Sequence, residues 1–319
     1  MIGGKAMENK LIYDNAGRPS IMVPVPRFNL SEVIAGAPET PHPAFIVGGK
    51  EIDIVWISKY QNIVIDGRAY SAQLQEPKDT ISFDEAVAAC ESKGPGWHLM
   101  TNAEWAALAL WAKKNGTLPH GNNNRGRDYA HPEEQGITYD GYRTLTGSGP
   151  ATWTHDHTPD GIHDINGNLL EWVGGVRWVD GELQIIPDNN AAAGADQSKD
   201  STAWEPVRIG DKTIKYMGSD DGIVLTTKKP RGSWDGCYFR DLQADGIEVP
   251  VLLKALALYP ADDEKVDGYF FINTDGERLA YRGGYWRNAS SAGVFYAYGG
   301  FRSSAYTHLG FRSAYIPGI

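Results

Sequence analysis

DINGNLLEWVGG, residues 164–175, sets Asn166, Gly167 and Asn168 in a row ahead of Leu-Leu-Glu-Trp. Asn and Gly accept the backbone of tight turns, so the stretch reads as a chain reversal that delivers Trp172 into a core. What surrounds that turn decides the architecture.

Upstream, GWHLMTNAEWAALA (96–109) carries a written helix start: Thr101 and Glu104 form a capping box ahead of AEWAALALWAKKN, which stops at Gly116. Trp105, Leu108, Ala109 and Ala112 fall on one stripe, so this helix packs on something. A second box, Ser82 with Glu85, opens FDEAVAACESK, which stops at Gly94; Cys90 there shares a face with Phe83, Ala86 and Val87 and is expected to pack. From Ala44, FIVGGKEIDIVWISKYQNIVIDGRAY alternates in the manner of strands and hairpins.

Residues 1–45 are Pro-rich, with PSIMVPVPRF and GAPETPHPAF, and are expected to form an extended arm or adaptor ahead of one domain over 46–319. Downstream of the turn, an insert at about 176–280 shows short strand patterns, DG turns at Asp180-Gly181 and Asp275-Gly276, and the apolar run VLLKALALY.

The 319 residues are 41% hydrophobic and 22% charged, as in soluble globular chains. Thirty Lys and Arg against forty Asp and Glu give a net charge of −10, which disfavours nucleic acid and anionic lipid as partners. No apolar run approaches the roughly 20 residues that insert across a bilayer. The opening MIGGKAMENKLIYDNAG has no apolar signal stretch, which suggests synthesis and retention in a cytoplasm until release. Two cysteines, Cys90 and Cys237, make no disulfide framework. Thirty-seven Gly and ten Trp suggest a loop-rich fold pinned by buried indoles.

Candidate chemistry is sparse. His155, His157 and His163 with Asp156, Asp160 and Asp164 are the densest set of potential ligands, but HxHxxxxxH fits no helix-borne metal motif and reads as solvated loop. There is no GxSxG, no phosphate-cradling glycine loop and no cysteine with a histidine beside it. No catalytic residue is assigned, and no hydrolytic or redox activity is expected.

The segment YWRNASSAGVFYAYGGFRSSAYTHLGFR (285–312) is built mainly from Tyr, Ser, Gly, Ala and Arg. Antibody paratopes favour such a mixture, because Tyr gives a large amphipathic contact at low rotamer cost while small residues adapt around it. Tyr285, Tyr296, Tyr298 and Tyr306 are therefore expected to be exposed, held in place by Trp286, Val294, Phe295 and Phe311. Tyr281 and Tyr315, which flank the segment, are expected to be half-buried strand residues.

Four stretches in order, GWHLMTNAEWAALA, DINGNLLEWVGG, YRGGYWRN (281–288) and LGFRSA (309–314), resemble the formylglycine-generating-enzyme branch of the C-type lectin fold. That resemblance implies an α+β fold, irregular and loop-rich, with a few helices and short antiparallel strands. The branch's oxidases carry a cysteine pair near the C-terminal strands and related sulfoxide synthases an iron-binding His motif. Neither pattern has a match here, so catalysis is not carried over. The same scaffold serves the variable proteins of diversity-generating retroelements, whose C-terminal segment is rewritten at template adenines, and the segment here is similar to theirs in ending on GFRSA (310–314).

Changing either adenine of an Asn codon, or both, reaches Tyr, Ser, Gly, Ala, Arg, His, Thr, Asp or a few apolar residues but never Lys, Glu, Gln, Met or Trp. Between Tyr285 and His308 there is no Lys, Glu, Gln or Met, and the single Trp, Trp286, belongs to the framework motif. The resemblance thus implies a hypervariable binding surface at Tyr285, Arg287, Asn288, Ser290, Tyr296, Tyr298, Ser303, Tyr306 and His308. The partner it implies is a protein or glycan on a host cell surface, met from a phage or prophage tail, with the N-terminal arm available for oligomerisation or tail-fibre attachment. A variable protein displayed on a bacterial surface is the alternative, and a formylglycine-generating oxidase a weaker one. Related folds often bind calcium at the turn, so Asp164, Glu171 and the carbonyls of Gly167 and Leu169 are a candidate structural calcium site. No other cofactor is implied.

Overall fold

The computed structural model describes residues 8–230 and 234–319. The expected α+β class holds: two main helices, Phe83–Glu91 and Asn102–Asn115, are set among short and mostly antiparallel strands. Both helices begin where the sequence places them. Ser82 Oγ and Thr101 Oγ1 accept from the amides of Glu85 and Glu104, each glutamate bonds back to its cap, and Gly116 closes the second helix at φ 69°.

The Asn102–Asn115 helix is buried well beyond the expected stripe, from Asn102 through Leu110. The Leu170–Val179 strand covers one side, and the segments Val251–Ala255 and Pro43–Phe45 cover others. Trp105 is anchored by its indole N–H, which donates to the Val294 carbonyl at 2.7 Å. Cys90 is fully buried beside Phe83 and Ala86, as expected.

A five-stranded sheet ties the two ends of the chain together. Its order is Lys10–Tyr13, Pro19–Pro26, Ile54–Ser58, Ser313–Tyr315, Trp97–Leu99. This corrects the expected N-terminal arm: residues 10–45 are part of the fold, and Met22, Val23, Val25, Phe28 and Phe45 are core residues. The expectation misjudged the prolines. Pro19 opens its strand, while Pro24 and Pro26 lie beyond the Met22–Pro19 stretch paired with Lys10–Tyr13, where among the described residues one edge has no partner strand and a missing N–H costs no ladder bond. Residues 1–7 of the expected arm lie outside the described residues.

The insert does not stand apart either. The second sheet runs Trp234–Tyr238, Tyr269–Asn273, Gly293–Gly300, Glu277–Gly283, Leu170–Val179, Glu182–Ile185, Lys215–Ser219, Gly222–Thr226, Gln243–Ala244. Strands of the insert thus flank the motif strands on both sides. Asp180-Gly181 forms the expected two-residue hairpin turn, with φ 48° and 80° and Val179 opposite Glu182. Asp275-Gly276 does not close a hairpin, because Gly293–Gly300 slots between the strands that this turn joins. The two turns bond each other instead: the Asp180 amide donates to the Gly276 carbonyl at 3.1 Å and the Gly276 amide to Asp180 Oδ1 at 2.8 Å.

The four motifs converge on the 164–175 turn. Asn168, in left-handed backbone at φ 58°, satisfies its whole side chain: Nδ2 donates to Gln61 and Thr144, and Oδ1 accepts from Asn122 and the Thr144 amide. Trp172 is buried, meets Phe83 and Tyr281 edge-on, and donates to the Ile81 carbonyl at 2.9 Å. Arg312 is fully buried and forms a two-pronged pair with Glu171 at 2.6 Å on each prong, with further bonds to the carbonyls of Ser58 and His163.

That pair bears on the residues expected to hold calcium. Both Glu171 oxygens are held by a guanidinium, and the Leu169 carbonyl accepts from Gln61 at 2.9 Å. Asp164 Oδ2 accepts from the Gly147 amide, and burial pushes its carboxyl up to about 6. Glu171 and the Leu169 carbonyl thus already have partners within the chain, while Asp164 Oδ1 is buried without one.

Candidate functional site

Residues 285–308 are laid over this network and strapped to it. The Trp286 amide donates to the Asn168 carbonyl, the Arg125 amide to the Trp286 carbonyl, and the Leu170 amide to the His308 carbonyl. Between those points Arg302 bonds Glu277, Asp84 and the Gln197 carbonyl, while Arg143 Nη1 donates to the Thr307 carbonyl at 2.9 Å. The Thr80 amide reaches the Tyr306 carbonyl. A loop with so many fixed backbone points presents its side chains with little conformational cost on binding.

On that base stands a stack of three rings. Tyr285 lies on His308 at 4.4 Å between centroids and 27°, and Tyr306 stacks with His308 at 5.3 Å and 5°. Tyr306 is 45% exposed, Tyr285 and His308 are half-buried, and burial lowers the His308 imidazole below its usual range. Arg287, Ser290 and Ser303 are exposed around the stack, and Asn288 is half-buried because its Oδ1 accepts from the Tyr285 amide at 2.8 Å. Tyr298 is half-buried, flat on Tyr281 at 5.0 Å and 7°.

Tyr296 is the exception among the expected residues. It is 3% exposed, because it sits inside Gly293–Gly300, a strand with neighbours on both edges, where its ring faces Phe271 at 6.1 Å; burial raises its hydroxyl well above the usual range. Tyr296 therefore belongs with the packed residues. Val294, Phe295 and Phe311 are buried as expected, whereas Trp286 is only half-buried and stacks on Tyr142 at 5.0 Å. Tyr281 is fully packed at 4% exposure, and Tyr315 is half-buried against Trp97.

Three aromatics that sequence reasoning did not assign complete the face. Phe301 is 56% exposed with the Arg278 guanidinium 4.0 Å from its centroid, Trp234 is 59% exposed and donates to the Tyr298 hydroxyl at 3.3 Å, and Tyr142 is 47% exposed. Phe301 follows the GG that ends a strand, a signal present in the sequence. Trp234 and Tyr142 had none, since long-range pairing alone brings them beside Tyr298 and Trp286.

The histidine-rich loop is not the solvated surface expected of it. His155 and His163 are buried; His155 Nδ1 accepts from the Ile162 amide, and His163 packs on Tyr60. Burial holds both imidazoles down at about 4. Asp156 spends its carboxylate on the amide and hydroxyl of Thr158. Both cysteines are buried and free, and burial raises their thiols, that of Cys237 to about 11, so neither is a thiolate at neutral pH.

No family matches the chain as a whole or in part, and no curated protein matches it. Among solved structures, Treponema denticola variable protein 1 aligns at 14% identity with a TM-score of 0.40 over 97% of this chain and 99% of that one. PvdO from Pseudomonas aeruginosa aligns at 13% and 0.39 over 98% and 99%. The P3c variant of the Major Tropism Determinant aligns at 12% and 0.35 over 98% of this chain and 72% of its own.

Proposed function

We propose that this chain is a ligand-recognition protein whose face at residues 285–308 is diversified by a retroelement and binds a protein or glycan on a host cell surface, carried on a phage tail. The observation that carries the reading is the strapped ring stack Tyr285–His308–Tyr306, ringed by exposed Arg287, Ser290, Phe301 and Ser303. Every one of these residues can be reached from an Asn codon by changes at adenines. These side chains combine exposure with reachability from an Asn codon. Tyr296, though reachable from the same codon, is packed and stands outside the proposed surface. With both thiols buried and protonated, oxidase chemistry of the cysteine-pair kind has no nucleophile in this reading.

The test is genomic and then physical. Natural copies of the gene should differ mainly at codons 285, 287, 290, 298, 301, 303, 306 and 308, beside a reverse-transcriptase gene and a near repeat of codons 285–312 that departs from them at adenines. Differences that fall equally on codons 294–297, or a locus with no such repeat, would overturn the reading. Exchanging the exposed set for that of a natural copy should then change which bacterial strains the purified protein adsorbs to.

A further inference from the structure

Among the described residues, one group of three His, Cys, Asp or Glu side chains offers ligand atoms that all lie within 4.8 Å of one another: His120, His131 and Glu134. We infer that these three residues form a binding site for a zinc-class divalent ion, independent of the receptor reading above. Two imidazoles and one carboxylate are the donor set of a borderline metal such as Zn²⁺, Co²⁺ or Ni²⁺, whereas Ca²⁺ and Mg²⁺ take all-oxygen sets.

The loop is organised around the group. Asp128, buried at 3% exposure, accepts four hydrogen bonds: from the Gly121 amide and Asn123 Nδ2 at 3.0 Å each, and from the amides of Ala130 and His131 at 2.9 and 3.0 Å. One carboxylate thus fixes the backbone next to His120 and at His131 together. The Glu134 amide closes a turn on the His131 carbonyl at 2.9 Å, which places the second histidine and the glutamate side by side. Glu134 is oriented from behind, since Trp153 donates its indole N–H to Oε2 at 3.0 Å, and His120 Nδ1 lies 2.9 Å from the same oxygen. The Trp153 bond is the outer kind of bond to a ligating carboxylate that recurs in built metal sites.

The two imidazole rings lie 3.9 Å apart at 8°, so a shared ion requires one of them to turn. His131 is the free one, with 43% of its side chain exposed against 26% for His120. Both rings also line a cavity of about 350 Å³ whose wall includes Asn123, Lys265 and Ser290. Three protein ligands beside an open cavity leave a coordination position for water or for a donor atom of an incoming molecule.

The tag-free full-length chain, stripped with EDTA and desalted, is to be titrated with zinc sulfate by calorimetry. Saturation at one zinc per chain is expected, with His131→Ala and Glu134→Gln each weakening binding by at least about tenfold, and with no saturable heat from calcium or magnesium chloride. Imidazole resonances of the wild-type chain, followed during the same titration, should shift for His120 and His131 and not for His155 or His163; this readout needs no variant to fold. No saturable zinc binding, wild-type affinity in both variants, or shifts confined to other histidines would overturn the assignment.

Discussion

His308 and Arg312 stand four residues apart and live under opposite rules. Arg312 is sealed in the core with each prong committed to Glu171, to the Ser58 carbonyl or to the His163 carbonyl. His308 is the middle ring of a stack that opens onto solvent. The buried ion pair fixes where the preceding loop ends, and the exposed side chains of that loop stand outside the network that holds it. The fold puts its polar precision under the surface and its tolerance on it.

The hardest blow to that division is at the ion pair. Arg312→Ala leaves the Glu171 carboxylate buried and uncompensated, which costs about 3–5 kcal/mol of folding stability. Chemical denaturation should show that loss; a loss under about 1 kcal/mol would mean that the pair is not what holds the two halves.

Two tyrosines that look alike in sequence then separate the two regions. Tyr296→Ala removes a packed ring and is expected to cost about 3–5 kcal/mol, as large-to-small core changes with aromatics do. Thermal melts of Tyr296→Ala and Tyr298→Ala side by side should rank the first well below the second, because Tyr298 keeps part of its ring in water. Equal losses would erase the boundary drawn through this strand.

Acid probes the same boundary from the buried side. His42, His155 and His163 are held by burial at about 4 in the fold against an ordinary 6.5. A lowered histidine contributes stability that is present above about 6.5 and is lost as pH falls through about 4. Asp164 works the other way: burial raises it from 3.8 to about 6, so its contribution is full below about 4 and is lost as pH rises through about 6. Stability should therefore fall between pH 6.5 and 4 with Asp164 offsetting part of the loss, and Asp164→Asn should steepen the fall. Asn suits the left-handed backbone at φ 61°. Denaturant midpoints across that range check the sign, and a shallower fall in the variant would reverse the assignment.

What could be read in advance follows from range of interaction. The capping boxes at Ser82 and Thr101, the Asp180-Gly181 hairpin and the Asn168 turn are local grammar, and the structure has all of them. The N-terminal strands were hidden by prolines whose harmlessness depends on which strand edge they face, a fact settled only by pairing with Ile54–Ser58. The Glu171 carboxylate looked like a calcium ligand because its real partner, Arg312, lies 141 residues away in sequence. At the surface, composition marked the 285–308 segment as a whole but not its buried positions: Tyr296 and Tyr298 share one strand face, both against Phe271, and differ only in how far neighbouring elements cover them, which spacing does not show.

The smallest expected effect is the one that most sharpens the contrast. Tyr306 is 45% exposed, its ring touches His308 on one face, and its backbone carbonyl, which accepts from the Thr80 amide, is untouched by a side-chain change. Tyr306→Ser keeps that strap and gives up an exposed stacking contact and the long bond from Ser304 Oγ to the Tyr306 hydroxyl at 3.5 Å. Surface changes of this kind shift stability by under about 0.5 kcal/mol, whereas truncating a central aromatic of a binding face costs on the order of 2 kcal/mol in affinity. Melting should therefore stay within about two degrees of the parent, a shift of that size being what half a kcal/mol produces in a chain of this length, while adsorption to the bacterial strain that the parent binds falls at least about tenfold. A marked drop in melting temperature would place Tyr306 with Tyr296 on the structural side, and unchanged adsorption would remove the ring stack from the recognition surface.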